Sequence, residues 1–377
     1  MKIAHFFNNN KFVDKHIIKY IECDFENDFF YLNNENNYSG SHKGKVVYLP
    51  PESEAYNSII NRIETYDIVI LYYLNSDKFK LIEAIKHSKV KIIWSFYGAE
   101  LYSLPSIRLK MLSENTQLVL KDELSKSNSE SIKDVFRWLL SPFRNKRTNH
   151  QWIKKSCKRI DYFLWYNEFE YEILNKYMGQ ILPTFMEAPL NNALNEVEPD
   201  PNKENSLLIG NSASYYNNHL DALDILATNR YKGKVSLPFS YLKNDNYVAL
   251  IEKYALRSGL AFKIIDEFMT YSEYITFINR HKAAVYPSYR QMGLGNIFIG
   301  IRCGLKIYLS DKNPTLKWLG EKGMKIYSIE QDLSKDLIKN NLTLEPAHIA
   351  LNNKIYTSMV SAKQDKLLFN QFRNMIK

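Results

Sequence analysis

Cysteine is scarce in this chain, with 3 residues in 377. Cys23, Cys157 and Cys303 are widely separated, odd in number and fit no metal spacing, so neither a disulfide framework nor a thiolate metal centre is expected. A reducing cytoplasm is the simplest setting. Glycine is also sparse, at 13 residues, while Asn, Lys, Ile and Tyr abound. That is the bias of an AT-rich genome, so Asn8–Asn10 does not read as prion-like. No segment reaches the ~18 apolar residues of a membrane span, and the apolar run in MKIAHFFNNN is too short for a signal peptide. There is no Walker lysine loop, no HExxH and no GxSxG. The dinucleotide fingerprint fails as well, because Phe298 of MGLGNIFIG stands where its third glycine should be. No repeat of 20–50 residues stands out.

What is present points to a two-domain protein with an anionic partner. The length exceeds one ordinary core, since domains usually run to ~100–200 residues. The net charge of +9 favours anions without naming one. Between Pro142 and Asp161 come Arg144, Lys146, Arg147, Lys154, Lys155, Lys158 and Arg159 with no acid among them. Just before, in SESIKDVFRWLL, residues Ile132, Val135, Phe136, Leu139 and Leu140 form one apolar helical face. An amphipathic helix with Trp138 beside a basic cluster suits an anionic membrane surface, giving a membrane-facing reading of 129–159. A core-packed helix followed by a solvated basic loop fits the pattern equally.

Near-continuously apolar strands alternate with amphipathic helices in both halves, as in a parallel sheet covered on both faces. In the first half the strands are 2–7, 46–49, 67–74, 90–96 and 161–166, with helices near 53–65, 77–88 and 106–125. A polar interval, NNALNEVEPDPNKEN (191–205), reads as a linker. The second half restarts with strands at 206–210, 234–240, 261–266, 283–289, 305–310 and 324–329. Its helices fall near 217–229, 244–258, 271–281, 295–303 and 313–321. Repeated β–α units imply right-handed crossovers. The expectation is an α/β protein of two Rossmann-like, doubly wound domains facing across a cleft. The divisions are 1–190, 206–344 and a helical segment, 345–377, packing back toward the first domain.

The most informative stretch is AAVYPSYRQMGLGNIFIGIRCG (283–304). A strand ending at Tyr286 runs into a turn with Arg290, then Gly293, Gly295 and Asn296, then an apolar helix. Glycines let a backbone approach phosphate oxygens, free N–H groups at a helix start point at them, and Arg290 adds a forked cation. This reads as the diphosphate site of a nucleotide sugar. A second strand ends at Gly210, followed by Asn211, Ser212 and a helix entered near Asn217 and Asn218. It suits an anion, or ordinary capping. Phe239 and Tyr241 of PFSY could sandwich a base or lie in the core. Glu100, just past the end of strand 90–96, is placed to act as general base on an acceptor hydroxyl, or to cap the next helix. His5 reads as structural, and His219 as either a ligand contact or a first-turn residue. Asp-x-Asp occurs nowhere, against a metal-dependent glycosyltransferase architecture; no metal or cofactor is expected.

FYGAELY (96–102), LIGNSASYYNNHLDAL (208–223), KVSLPFSY (234–241) and YPSYRQMGLGNIFIGIRCGLKIYLS (286–310) together resemble the bacterial TDP-4-acetamido-4,6-dideoxygalactose transferases, glycosyltransferase family 56. The blocks are in order across roughly 90–320, and the arginine–glutamine–x–glycine–x–glycine element is the most specific. The chain departs from the family pattern at Tyr97, Glu100 and Leu242. The resemblance implies a GT-B fold and metal-independent transfer from a dTDP-sugar to an undecaprenyl-diphosphate-linked saccharide at the cytoplasmic face of the bacterial inner membrane. It implies that Arg290, Gln291, Gly293, Gly295 and Asn296 hold the donor diphosphate. Asn211, Ser212 and Asn218 would line the donor cleft, and Glu100 would stand near the acceptor. Gly210, Phe239, Tyr241 and Tyr286 are expected as further donor-binding residues. A sugar-nucleotide 2-epimerase or hydrolase of the same fold is the alternative. A non-catalytic nucleic-acid-binding protein is the more distant one.

Overall fold

The computed structural model describes residues 1–9, 13–21, 23–86, 89–120, 148–190, 194, 197–241 and 245–376. The chain divides into two compact units. Among the described residues the first holds 1–107, 148–190 and 361–376, and the second holds 108–120 and 194–360.

The first unit is built on seven strands: β1 (Lys2–Phe7), β2 (Glu26–Tyr31), β3 (Val46–Tyr48), β4 (Ile68–Tyr72), β5 (Lys91–Ser95), β6 (Tyr162–Trp165) and β7 (Thr184–Glu187). All neighbours are parallel, in the order β3-β2-β1-β4-β5-β6-β7. The apolar runs KIAHFF and IVILY lie side by side, Ile3 opposite Ile68 and His5 opposite Ile70, and are buried on both faces. The order reverses between β1 and β4, which makes that edge the natural place for a ligand in a doubly wound sheet. Two strands escaped the sequence reading. β2 opens on the polar residues Glu26 and Asn27, and β7 is a four-residue edge strand behind Pro183.

The second unit carries six parallel strands: β8 (Glu204–Ile209), β9 (Lys234–Pro238), β10 (Ala261–Ile265), β11 (His281–Tyr286), β12 (Lys306–Leu309) and β13 (Tyr327–Ser328). Their order is β10-β9-β8-β11-β12-β13, and the reversal falls between β8 and β11. All six were legible as apolar runs. The core on one face gathers Leu207, Ile209, Leu223, Val235, Leu237 and Val285.

Three segments differ from the sequence expectation. Of the stretch 106–125, the described residues 106–120 are not one helix; short turns at Pro105–Arg108 and Leu109–Met111 give way to a new helix at Glu114–Val119, because Ser113 accepts the Thr116 N–H at 3.1 Å and caps a fresh start. The C-terminal stretch is two helices. Pro346–Met359 packs within the second unit, where Tyr356 lies 5.1 Å from Phe298 and accepts a hydrogen bond from Leu194 N at 2.9 Å. Ala362–Ile376 packs within the first, through Leu368, Phe369 and Phe372 and an ion pair of Asp365 with Lys19 at 2.8 Å. Of the 129–159 region, residues 129–147 lie outside the described residues. The remainder enters helix Asn149–Cys157, which packs on helix Ser76–Ala84. Trp152 stacks on Phe79 at 5.0 Å, Lys155 pairs with Glu83, and Arg159 donates to the Ile85 carbonyl. Among the described residues no helix is long and apolar enough to cross a membrane.

Candidate functional site

In the second unit the site forms at the carboxyl ends of β8 and β11. Gly293 takes a left-handed backbone (φ 61°) and is the N-cap of helix Leu294–Arg302. Ile297 is the first residue to donate back, to Gly293 O at 3.0 Å, so the N–H groups of Leu294, Gly295 and Asn296 have no acceptor within the helix. A Cβ on Gly295 would meet no heavy atom within 4 Å, so the space beside this first turn is open among the described residues. A Cβ on Gly293, in contrast, would lie 2.7 Å from Asn211 Cγ. The glycine therefore lets the two loops touch. Asn211 Oδ1 is buried there without a hydrogen-bond partner among the described residues.

Arg290 precedes this turn, and its guanidinium lies over the Tyr216 ring at 5.0 Å. Its carbonyl accepts from Ser288 Oγ at 3.0 Å and from Asn313 Nδ2 at 3.1 Å, while Asn313 also donates to Ser288 Oγ at 3.2 Å. Asn313 caps the next helix through Thr315 N at 3.0 Å. This buried pair fixes the Arg290 loop, and only the Asn-Pro helix-start signal at 313–314 could have suggested it. Arg108 also acts on Tyr216: burial raises that phenol's pKa, and the charges of Arg290 and Arg108 pull against it.

Several expected donor contacts are scaffold instead. Asn218, left-handed at φ 50°, is buried; its Oδ1 accepts from Ser113 N at 3.0 Å, and its Nδ2 donates to the carbonyls of Met111 (3.2 Å) and Pro287 (3.3 Å). It ties segment 108–120 to the β11 loop. Ser212 is buried and takes the Asn217 amide at 3.0 Å. Phe239 is a core residue against His219, and Tyr286 is buried inside the unit, so neither ring can stack on a base. Gly210 (φ 69°) is required sterically, since a Cβ there would fall 2.4 Å from His219 Nε2. His219 is enclosed beside Tyr247, and burial pushes its pKa down to about 3. Tyr241 remains 60% exposed. The turn thus brings together Asn211, Arg290, Gly293, Gly295 and Asn296, with Gln291 next to Arg290 in the chain.

In the first unit Glu100 sits in the short helix Ala99–Tyr102 beyond β5 and is 4% exposed. Its Oε1 accepts from Trp94 Nε1 (3.2 Å), Tyr97 N (3.2 Å) and Leu74 N (3.3 Å), and Oε2 has no partner among the described residues. Burial pushes its pKa up to about 7 against those donors. Lys78, missed from the sequence, is buried beyond β4. It donates to the carbonyls of Tyr72 and Tyr73 and to Asn8 Oδ1, and burial lowers its pKa to about 7 while the Glu100 charge opposes the drop. Lys78 thus holds the carbonyls of Tyr72 and Tyr73, and Glu100 the N–H of the next residue, Leu74, on either side of the φ 63° that Tyr73 takes. His5 is buried between Tyr72 (3.1 Å) and Asn27 (3.0 Å), a structural position.

Two all-parallel sheets in two units are the construction of GT-B glycosyltransferases. Solved structures share it over nearly the whole chain. The Anabaena protein HepE in complex with UDP and glucose is 12% identical with a TM-score of 0.60, covering 99% of this chain and 100% of that one. The lipopolysaccharide outer core galactosyltransferase WaaB in its apo form is 12% identical with a TM-score of 0.60, covering 100% and 99%. Sucrose-phosphate synthase of Thermosynechococcus elongatus is 11% identical with a TM-score of 0.62, covering 100% and 99%. These likenesses show the fold. The family model of 4-alpha-L-fucosyltransferase, glycosyl transferase group 56, matches residues 144–359, more than half of the chain. The chain belongs to that family and is a glycosyltransferase.

Proposed function

We propose that this glycosyltransferase moves a deoxyamino sugar of the 4-acetamido-4,6-dideoxyhexose type from a dTDP-sugar to an undecaprenyl-diphosphate-linked saccharide. The setting is the synthesis of a bacterial surface polysaccharide of the enterobacterial common antigen or O-antigen type. It acts as a peripheral protein at the cytoplasmic face of the inner membrane. Family membership and the motif blocks support the donor class, and the structural relatives solved with UDP support a nucleotide-sugar donor.

The observation that carries the reading is the Gly293 turn: three N–H groups at a helix start, open space beside Gly295, and Arg290 held over Tyr216. A pyrophosphate at this turn gains the helix dipole and the guanidinium together. As the sugar leaves, negative charge grows on the diphosphate, and these groups neutralise it in place of a metal ion. A single preorganised donor of this kind contributes ~3–4 kcal/mol. Glu100, enclosed and engaged by three donors, serves to shape the chain at 74 and 97 rather than to meet the acceptor.

The test is titration of the protein with dTDP-, UDP- and GDP-linked sugars, followed by turnover with a lipid-linked saccharide. A dTDP-sugar should bind best, and Arg290→Ala should lower turnover about 100-fold or more without unfolding the protein. Normal turnover in that variant removes Arg290 from the mechanism; preference for another nucleotide removes the dTDP assignment.

A further inference from the structure

The first unit has its own reversal of strand order, between β1 and β4, and aromatic rings stand at the carboxyl ends of both strands. Phe7 closes β1 and Tyr72 closes β4; their rings stack at 4.2 Å, and both are buried. His16, from helix Val13–Ile21, lies against this floor, its ring 4.3 Å from that of Tyr72 and 5.9 Å from that of Phe7. Its Nε2 is 3.0 Å from the hydroxyl of Tyr97, which follows β5. The Tyr97 ring lies 6.4 Å from those of His16 and Tyr72. His16 and Tyr97 are partly exposed, in contrast to the two rings of the floor.

The backbone beside this pair is held against its own preference. Tyr73 takes φ 63°, a conformation that bulky side chains rarely adopt and that persists only where the surroundings impose it. Here Lys78 grips the carbonyls of Tyr72 and Tyr73, and Glu100 takes the Leu74 N–H at 3.3 Å. Glu100 also takes the Tyr97 N–H at 3.2 Å. One buried carboxylate therefore fixes both the residue after the strained Tyr73 and the chain that presents the phenol. Strain maintained in this way clusters where ligands bind, and in a doubly wound sheet they bind at the carboxyl edge where the strand order reverses.

Burial above all, and then the charge of Lys19, lowers the His16 pKa to about 3, so the ring is neutral. A neutral imidazole offers one donor and one acceptor, and a phenol can likewise give and take a hydrogen bond. Lys78 directs its three protons at the Tyr72 and Tyr73 carbonyls and at Asn8 Oδ1, leaving none for an anion. Uncharged polar atoms on an aromatic floor suit the hydroxyls and the C–H face of a sugar ring better than a phosphate. We propose that His16 and Tyr97 bind a sugar ring of the acceptor and help to select it. This rests on the reading of the protein as transferring sugar to a lipid-linked saccharide. The site lies wholly within the first unit.

Nitrogen-15 NMR of the full-length protein follows the His16 ring without turnover. An undecaprenyl-diphosphate-linked disaccharide, and the same disaccharide released from its lipid, should both shift the His16 ring nitrogens saturably; undecaprenyl diphosphate alone should not. No shift with either form of the disaccharide, or an equal shift with the lipid diphosphate alone, overturns the site. Turnover is then measured with a dTDP-sugar and the lipid-linked disaccharide. Tyr97→Phe, which keeps the ring and removes the hydroxyl, and His16→Gln should each raise the acceptor KM about tenfold, as the loss of one hydrogen bond does. Both should leave the dTDP-sugar Kd within about twofold. An acceptor KM unchanged in both variants overturns the site, and so does a donor Kd that weakens as much as the acceptor KM rises, which is what general disruption gives. If the protein turns over no lipid-linked saccharide, the acceptor assignment fails, and the shift with the released disaccharide decides the site alone.

Discussion

The contact between Gly293 and Asn211 can be probed quantitatively. Gly293→Ala forces a side chain into a left-handed backbone, φ 61° and ψ 33°, which costs about 1–2 kcal/mol. It also drives the new Cβ to 2.7 Å from Asn211 Cγ and 2.9 Å from Asn211 Cβ, an overpacking worth about 1–3 kcal/mol. Urea unfolding should therefore show a loss of roughly 2–5 kcal/mol. The two contributions separate in a double-mutant cycle. Asn211→Gly removes the atoms struck by the methyl, so in the double variant the packing part returns while the backbone part stays. The coupling should be about 1–3 kcal/mol in the stabilising direction. Calorimetric titration should show at least tenfold weaker dTDP-sugar binding in Gly293→Ala, because the turn that presents the N–H groups is displaced. If the two substitutions simply add, the loops do not touch as described, and the account of the donor turn fails.

Gly295→Ala should do the opposite to stability. A Cβ there meets nothing, and alanine is favoured over glycine in a helix by about 0.5–1 kcal/mol; dTDP-sugar affinity should nonetheless fall, and undiminished affinity would place the phosphates elsewhere. Asn313→Ala removes a helix cap and two bonds to the Arg290 loop. It should cost about 2 kcal/mol and lower turnover more than Thr315→Val, with equal effects of the two arguing against a positioning role. Glu100 has a folded pKa near 7 against an ordinary 4.5. Its burial therefore costs nothing below the lower value, grows between the two, and is complete above the upper. Glu100→Gln should consequently gain stability over the wild type between pH 5 and pH 8, with a ceiling of about 3 kcal/mol. Lys78 opposite keeps the gain below that ceiling. A stability difference that is flat across this range would contradict the burial argument.

The glycine turn was readable because its signals are local. Strand, glycine, cation and helix start fall within residues 283–304, and each imposes its conformation over a few neighbours. The misplaced residues failed for the opposite reason. Whether Phe239 faces core or solvent depends on its position beyond β9 and on the His219 ring packed against it. Asn218 looked like an anion ligand because asparagine at a helix start usually caps or binds. Its partners at Met111 and Ser113 lie more than 100 residues away. Lys78 was invisible because a lysine in an amphipathic helix normally points to water; here unsatisfied strand-end carbonyls draw it inside.

Sequence by itself determined the alternation of strand and helix, the parallel sheets, the glycine turn into a helix start after β11 and, through its motif blocks, the family. Those follow from hydrophobic periodicity and from backbone freedom at particular glycines, which act over a few residues. Tertiary structure alone decided that 108–120 joins the second unit, that the C-terminal helices part company after Val360, and that His16 meets Tyr97. Each depends on which strand ends lie side by side, and a parallel sheet sets that order through crossovers that leave neighbouring strand ends far apart in the chain.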